Sequence, residues 1–198
     1  MSRIGVFCSA VAIAIVAHAT AFAVSEQYRG MIYQVGQLKP IDSVCTLKAG
    51  DKAPDFSLPS ISGEPVSLSA FAGKKNVVIS FVPAAWTPVC SDQWPGYNLL
   101  RDMFEARNAV MLGITVDNIP TLFAWTSEMG KVWFPVLSDF WPHGEVAGKY
   151  GVLRSNGVSE RAIFVIDRQG IIRYIDVHDI NERPKMEILM AELDKLNQ

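Results

Sequence analysis

Two uninterrupted apolar runs, "NVVISFV" at Asn76–Val82 and "AVMLGITV" at Ala109–Val116, stand either side of a segment with helical periodicity. Runs of this length without alternation read as strands buried on both faces. Such strands occur where helices cover a sheet from both sides. Between them, Ser91 to Arg107 carries Trp94, Tyr97, Leu100, Met103 and Phe104 at three- and four-residue steps, which predicts one helix.

The same alternation continues downstream. "IPTLFAWTSEMG" predicts a helix ending at Gly130, "WFPVLSD" a third strand and "GEVAGKYGV" a short helix. "RAIFVID" and "GIIRYIDV" are joined by "RQG", a hairpin signal, so the last two strands are expected antiparallel. "RPKMEILMAELDKLN" closes the chain as an amphipathic helix, with Pro184 placed near its first turn. Upstream, "DFSL" and "PVSL" flank the turn "SISGE" as a short hairpin. The expected fold class is one α/β domain over residues 50–198, a central mixed sheet flanked by helices.

The first residues belong to something else. Arg3 precedes an uncharged run, Ile4 to Val24, which closes on Ala21-Phe22-Ala23. A basic start, an apolar stretch and a small-x-small end describe a secretory signal peptide at residues 1–23. The run is also just long enough for an uncleaved membrane anchor. Its alanine content and its cleavage pattern favour removal, and "GVFC" before Cys8 is a poor lipoprotein signal. Export to a periplasmic or extracellular compartment is expected. Residues 24–49 carry little periodicity and read as an N-terminal extension, partly ordered at best.

Net charge is −2 over 198 residues, so no basic surface points to nucleic acid. His18, His143 and His178 lack metal-ligand spacing, and no glycine-rich phosphate loop or dinucleotide fingerprint is present, so neither metal nor cofactor is expected. The five tryptophans read as core or interface residues. Without the leader two cysteines remain, Cys45 and Cys90, too few for a disulfide scaffold in a chain of this length.

Cys90 follows the first buried strand and lies at the start of the next helix. Unpaired N–H groups and the helix dipole favour negative charge there. Cysteines so placed can titrate at roughly 3.5–7.5 rather than about 8.5. A small buried apolar residue is the other reading of a free cysteine. Around it stand Pro83 and Pro88, which stiffen the loop, and Thr87, whose hydroxyl both donates and accepts. A thioredoxin-type disulfide reductase would need a second cysteine where Thr87 stands.

The stretch "PAAWTPVC" has the Pro-x-x-x-Thr-x-x-Cys pattern of the peroxiredoxins, and the chain resembles that family of thiol peroxidases. "APDFSL", "SDFWPHGEVAGKYGV" and "RAIFVIDRQGIIRY" also look like the family and stand in family order, covering roughly Gly50 to Pro184. The resemblance is strongest to the alkyl-hydroperoxide-reductase-related group that often works with one cysteine. It implies a thioredoxin-like fold and reduction of hydrogen peroxide and organic hydroperoxides.

By position the resemblance makes Cys90 the peroxidatic cysteine, cycling through a sulfenic acid. Thr87 becomes the hydroxyl that holds the peroxide, Pro83 the residue that shields the thiolate, and Arg161 the active-site arginine. Physical chemistry makes the same demand of Arg161, since O–O cleavage moves negative charge from sulfur to the leaving oxygen and a fixed cation stabilises it there. A solvated strand-end charge is the bland reading of that residue. Gln93 could brace Arg161 or be a surface helix residue. The resemblance further implies a peroxide substrate, an external thiol reductant (thioredoxin-like or a low-molecular-weight thiol) and a homodimer. Cys45 is either a resolving cysteine or an incidental thiol. A redox-inactive thioredoxin-fold binding module or chaperone is the non-enzymatic alternative.

Overall fold

The computed structural model describes residues 26–197, and the leader read at residues 1–23 lies outside them. Both apolar runs are strands. Asn76–Phe81 (β3) is buried at every position, and Ala109–Thr115 (β4) runs parallel to it. Val136–Ser138 (β5) lies parallel to β4, while Arg161–Ile166 (β6) pairs antiparallel with the other edge of β3. Ile172–His178 (β7) closes the predicted hairpin with β6, giving the order β5-β4-β3-β6-β7. Ser57–Leu58 (β1) and Val66–Ser67 (β2) form the small separate hairpin.

Alternation along the strands divides the core in two. Val78, Val82, Met111, Ile163 and Val165 face Trp94, Trp125, Leu122, Leu189 and Leu193. Val77, Ile79, Phe81, Leu112, Ile114 and Phe164 face Val146, Tyr150 and Leu58. The first cluster is covered by Pro88–Asn98 (α2), Ile119–Glu128 (α4) and Met186–Lys195 (α6); the second includes residues of the short helix Glu145–Lys149 (α5). Asn118 caps α4 by accepting from the Thr121 N–H at 3.0 Å. Pro184 lies just ahead of α6, with Lys185 at its N-cap.

Helix α2 sits close to the sheet because Gly113 on β4 has no side chain. A Cβ at that position would come 2.7 Å from the Trp94 ring and 2.9 Å from Phe134. Trp94 in turn stacks on Trp125 with ring centroids 4.8 Å apart.

The single helix expected over Ser91 to Arg107 is two. After α2 the chain breaks at Leu99–Leu100 and resumes as Arg101–Ala106 (α3). Pro95 inside α2 has no N–H to give, and the last turn tightens, with Leu99 N–H bonded to Gly96 and Leu100 N–H to Tyr97. The break leaves Leu99 82% exposed although Trp94, Tyr97 and Phe104 keep their predicted burial.

Residues 26–49 lie against the domain. Glu26–Met31 (α1) buries Tyr28, whose hydroxyl accepts a hydrogen bond from the Trp125 indole. The following segment is irregular but tied by polar contacts. Asp42 and Ser43 donate their N–H groups to Glu160 at 2.6 and 2.7 Å, and Arg154, paired with Glu160 in a buried ion pair, donates to the Lys39 carbonyl. At Gly151 (φ +68°) the fit is close enough that a Cβ would meet the Cys45 Cα at 2.9 Å.

Candidate active site

The loop between β3 and α2 is held before it is shaped. The Val82 carbonyl accepts from the Ser159 hydroxyl at 2.9 Å, and the Ala85 N–H donates to the Asp117 carboxylate at 2.8 Å. Trp86 then takes a left-handed φ of 60°, a conformation costly for a bulky residue. Its ring packs on Tyr28, centroids 5.8 Å apart, and its carbonyl accepts from the Tyr33 N–H at 2.8 Å. Contacts from outside the loop therefore hold a strained residue next to the site.

Thr87 is the N-cap of α2, but its hydroxyl does not cap. It donates to the Ala84 carbonyl at 2.9 Å. The hydroxyl proton is thus committed to the protein, and the oxygen lone pairs remain to accept from a ligand. Pro88 opens the helix, and Cys90 is its third residue, with no solvent exposure. First-turn N–H groups have no carbonyl four residues back within the helix, so the positive end of α2 lies at the thiol.

Arg161, the first residue of β6, comes to the same point from across the sheet. Its Nη2 donates to Cys90 Sγ at 3.5 Å. The guanidinium is only 2% exposed, so it is not a solvated strand-end charge. Three further bonds fix it: Nε and Nη2 donate to the Ile180 carbonyl at 3.2 and 3.0 Å, and Nη1 donates to Gln93 Oε1. Gln93 is buried inside α2, where its amide nitrogen donates to Tyr97 Oη at 2.9 Å and Ser80 Oγ at 3.3 Å. Gln93 therefore braces Arg161, the first of its two readings from sequence. Burial pushes the Tyr97 hydroxyl above its ordinary pKa, so it stays protonated beside that amide.

The site opens onto a cavity of about 460 Å³ whose lining includes Pro83, Thr87 and Arg161. Three of the four residues read from sequence thus line one space, with Cys90 buried behind it.

Residues 49–175 match the AhpC/TSA family. The chain belongs to it. This peroxiredoxin is 39% identical over 140 residues to alkyl hydroperoxide reductase E of Mycobacterium tuberculosis, covering 69% of the chain and 89% of that protein. It is 32% identical over 144 residues to a putative peroxiredoxin in the rubredoxin operon of Clostridium pasteurianum, covering 67% and 79%. Among solved structures it is similar to the reduced 2-Cys peroxiredoxin of Plasmodium vivax (TM-score 0.72, 27% identity, 76% of this chain and 82% of that one). The fold is thioredoxin-like, and the peroxiredoxin is a thiol-dependent peroxidase that takes a peroxide substrate and a thiol reductant.

Sequence reasoning missed several residues that hold the site. Ser91 accepts from the Trp125 indole at 3.0 Å. The Ile180 carbonyl and the Glu160 clasp carry no local signature, because their partners are distant in the chain. The split after α2 did carry a signal, the Pro95-Gly96 pair.

Cys45 is half-buried and packs against the cluster on the face of the sheet away from Cys90. Its thiol is directed at the Tyr150 carbonyl, 3.3 Å away, and burial pushes its pKa up. No group of three or more metal-ligating side chains gathers among the described residues.

Proposed function

We propose that Cys90 is the peroxidatic cysteine, with Thr87, Arg161 and Pro83 completing its site. The contact that carries this reading is Arg161 Nη2 to Cys90 Sγ at 3.5 Å, in a site dry enough for one cation to matter. The Cys90 thiolate attacks the terminal peroxide oxygen; an S–O bond forms as the O–O bond breaks. Sulfur loses two electrons, and the leaving oxygen takes a proton to depart as water or an alcohol. Arg161 stabilises the charge as it passes from sulfur to that oxygen. Thr87 Oγ1 accepts from the peroxide O–H, and Pro83, without an N–H, keeps the cavity wall beside the thiolate from offering a competing donor.

Hydrogen peroxide and organic hydroperoxides are the substrates on this reading. The resulting sulfenic acid condenses with an external thiol, releasing water, and a second thiol reduces the mixed disulfide. Thioredoxin-like proteins and low-molecular-weight thiols both fit that role. The position of Cys45 on the opposite face supports a one-cysteine cycle. The working form is a homodimer, exported after removal of residues 1–23.

The test is Cys90→Ser. Peroxide turnover should vanish with the circular dichroism spectrum unchanged, and retained turnover would overturn the assignment. For export, intact mass of the native protein should give a chain beginning at Val24.

A further inference from the structure

Part of the cavity wall comes from outside the span that matches the family. Residues 33–38 precede the matched segment, yet Tyr33, Val35 and Leu38 line the same space as Pro83, Thr87 and Arg161. The segment is tied at both ends. The Tyr33 N–H donates to the Trp86 carbonyl at 2.8 Å. At Leu38 the N–H donates to Asn181 Oδ1 and the carbonyl accepts from Asn181 Nδ2, each at 2.9 Å. Between these ties Gly36 bends the strap with φ +64°.

The size of the cavity asks for an occupant. About 460 Å³ falls within the ~300–1,000 Å³ typical of small-molecule pockets. A water molecule's share of liquid volume is only about 30 Å³, so hydrogen peroxide leaves most of the space unused. The strap's side chains also lack cover, Tyr33 being 72% and Val35 37% exposed. Apolar groups held in place beside the reacting atoms, but left uncovered, suit the hydrocarbon part of a substrate.

We propose that the strap Tyr33–Leu38 determines substrate specificity: the O–O group of an organic hydroperoxide lies at Thr87 and Arg161, and its apolar tail packs against Val35 and Leu38. This rests on Cys90 being the peroxidatic thiol. Asn181 is the latch that keeps the apolar wall in register with the reacting end. Binding energy from the tail favours oxidation by organic hydroperoxides and gives hydrogen peroxide nothing.

The experiment is stopped-flow oxidation of the reduced protein, followed by tryptophan fluorescence, with cumene hydroperoxide and with hydrogen peroxide. The quantity read is the ratio of the two second-order rate constants. In Val35→Ala/Leu38→Ala that ratio should fall about tenfold or more, the size expected when apolar contacts are removed from a substrate pocket. An unchanged or increased ratio would overturn the proposal. Should the double variant not fold, Val35→Thr keeps the volume, removes apolar contact and is read in the same way. Failure of the underlying assignment looks different: the unaltered protein would react with neither peroxide, or Cys90→Ser would still react.

Discussion

Glu160 and Arg161 are consecutive residues that hold different parts of the molecule. The Glu160 carboxylate takes the N–H groups of Asp42 and Ser43 and pairs with Arg154. The Arg161 guanidinium takes Cys90, Gln93 and the Ile180 carbonyl. The start of β6 and the residue before it therefore join the N-terminal extension to the thiol through two adjacent buried charges. Each can be removed separately.

Arg161→Gln keeps a donor but loses the positive charge. Reaction of the reduced protein with hydrogen peroxide should slow at least tenfold, about 1.4 kcal/mol of barrier. An unchanged rate in stopped-flow would mean that the cation has no part in O–O cleavage.

Gln93→Ala leaves Arg161 Nη1 without its side-chain acceptor among buried residues. We expect a loss of about 1–3 kcal/mol in urea unfolding, together with slower oxidation of Cys90. Gln93→Glu restores the acceptor and should recover part of the rate. Gln93→Met keeps the volume without the acceptor, so a positioning role requires that it stay as slow as Gln93→Ala, whereas a packing role predicts recovery.

Glu160→Ala removes one partner of a buried ion pair, so the Arg154 charge is stranded. The expected cost is about 3–5 kcal/mol. Limited proteolysis should then cut within residues 32–43 at protease concentrations that spare the unaltered protein. Equal protection of the two proteins would show that the extension is held by other contacts.

Cys45 has a thiol pKa raised by burial. For a group raised in the folded state, the protonated form is the favoured one. Its contribution to stability is present below the unfolded value, near 8.5, and is lost as pH rises through the folded value. At pH 8 Cys45 should therefore take up iodoacetamide more slowly than a free thiol in solution. One equivalent of hydrogen peroxide should give Cys90 sulfenic acid with Cys45 free by peptide mapping. A rapid Cys45–Cys90 disulfide would defeat the one-cysteine cycle.

Gly113→Ala puts a methyl group 2.7 Å from Trp94. The rings must shift and carry α2 with them, at about 1–3 kcal/mol. Thermal unfolding measures the loss, and because α2 carries Cys90, peroxide reactivity should fall as well.

What was legible in the sequence was local. β3 and β4 declare themselves because burial on both faces leaves no charged residue to interrupt the run. The loop motif could be read because Pro83, Thr87 and Cys90 act within eight residues of one another. The Gln93–Arg161 contact joins residues 68 apart, and sequence could only offer Gln93 two readings. The extension was harder still. Apart from Tyr28 it is fastened largely through backbone groups, which every sequence possesses, so neither apolar spacing nor a charge pattern marks it.

Those fastenings also set an order of events. Asp42 meets Glu160 across 118 residues and Leu38 meets Asn181 across 143. The entropy of closing such loops grows only slowly with length, about 0.6 kcal/mol per doubling, but it must be met before any of these bonds can reward it. Non-local contacts of this kind slow folding. During synthesis residue 38 leaves the ribosome long before its partner at 181 exists. A chain halted short of Asn181 lacks both bonds that hold Leu38 at the cavity wall. The Leu38 side of the cavity is fastened last, when nearly all of the polypeptide is available.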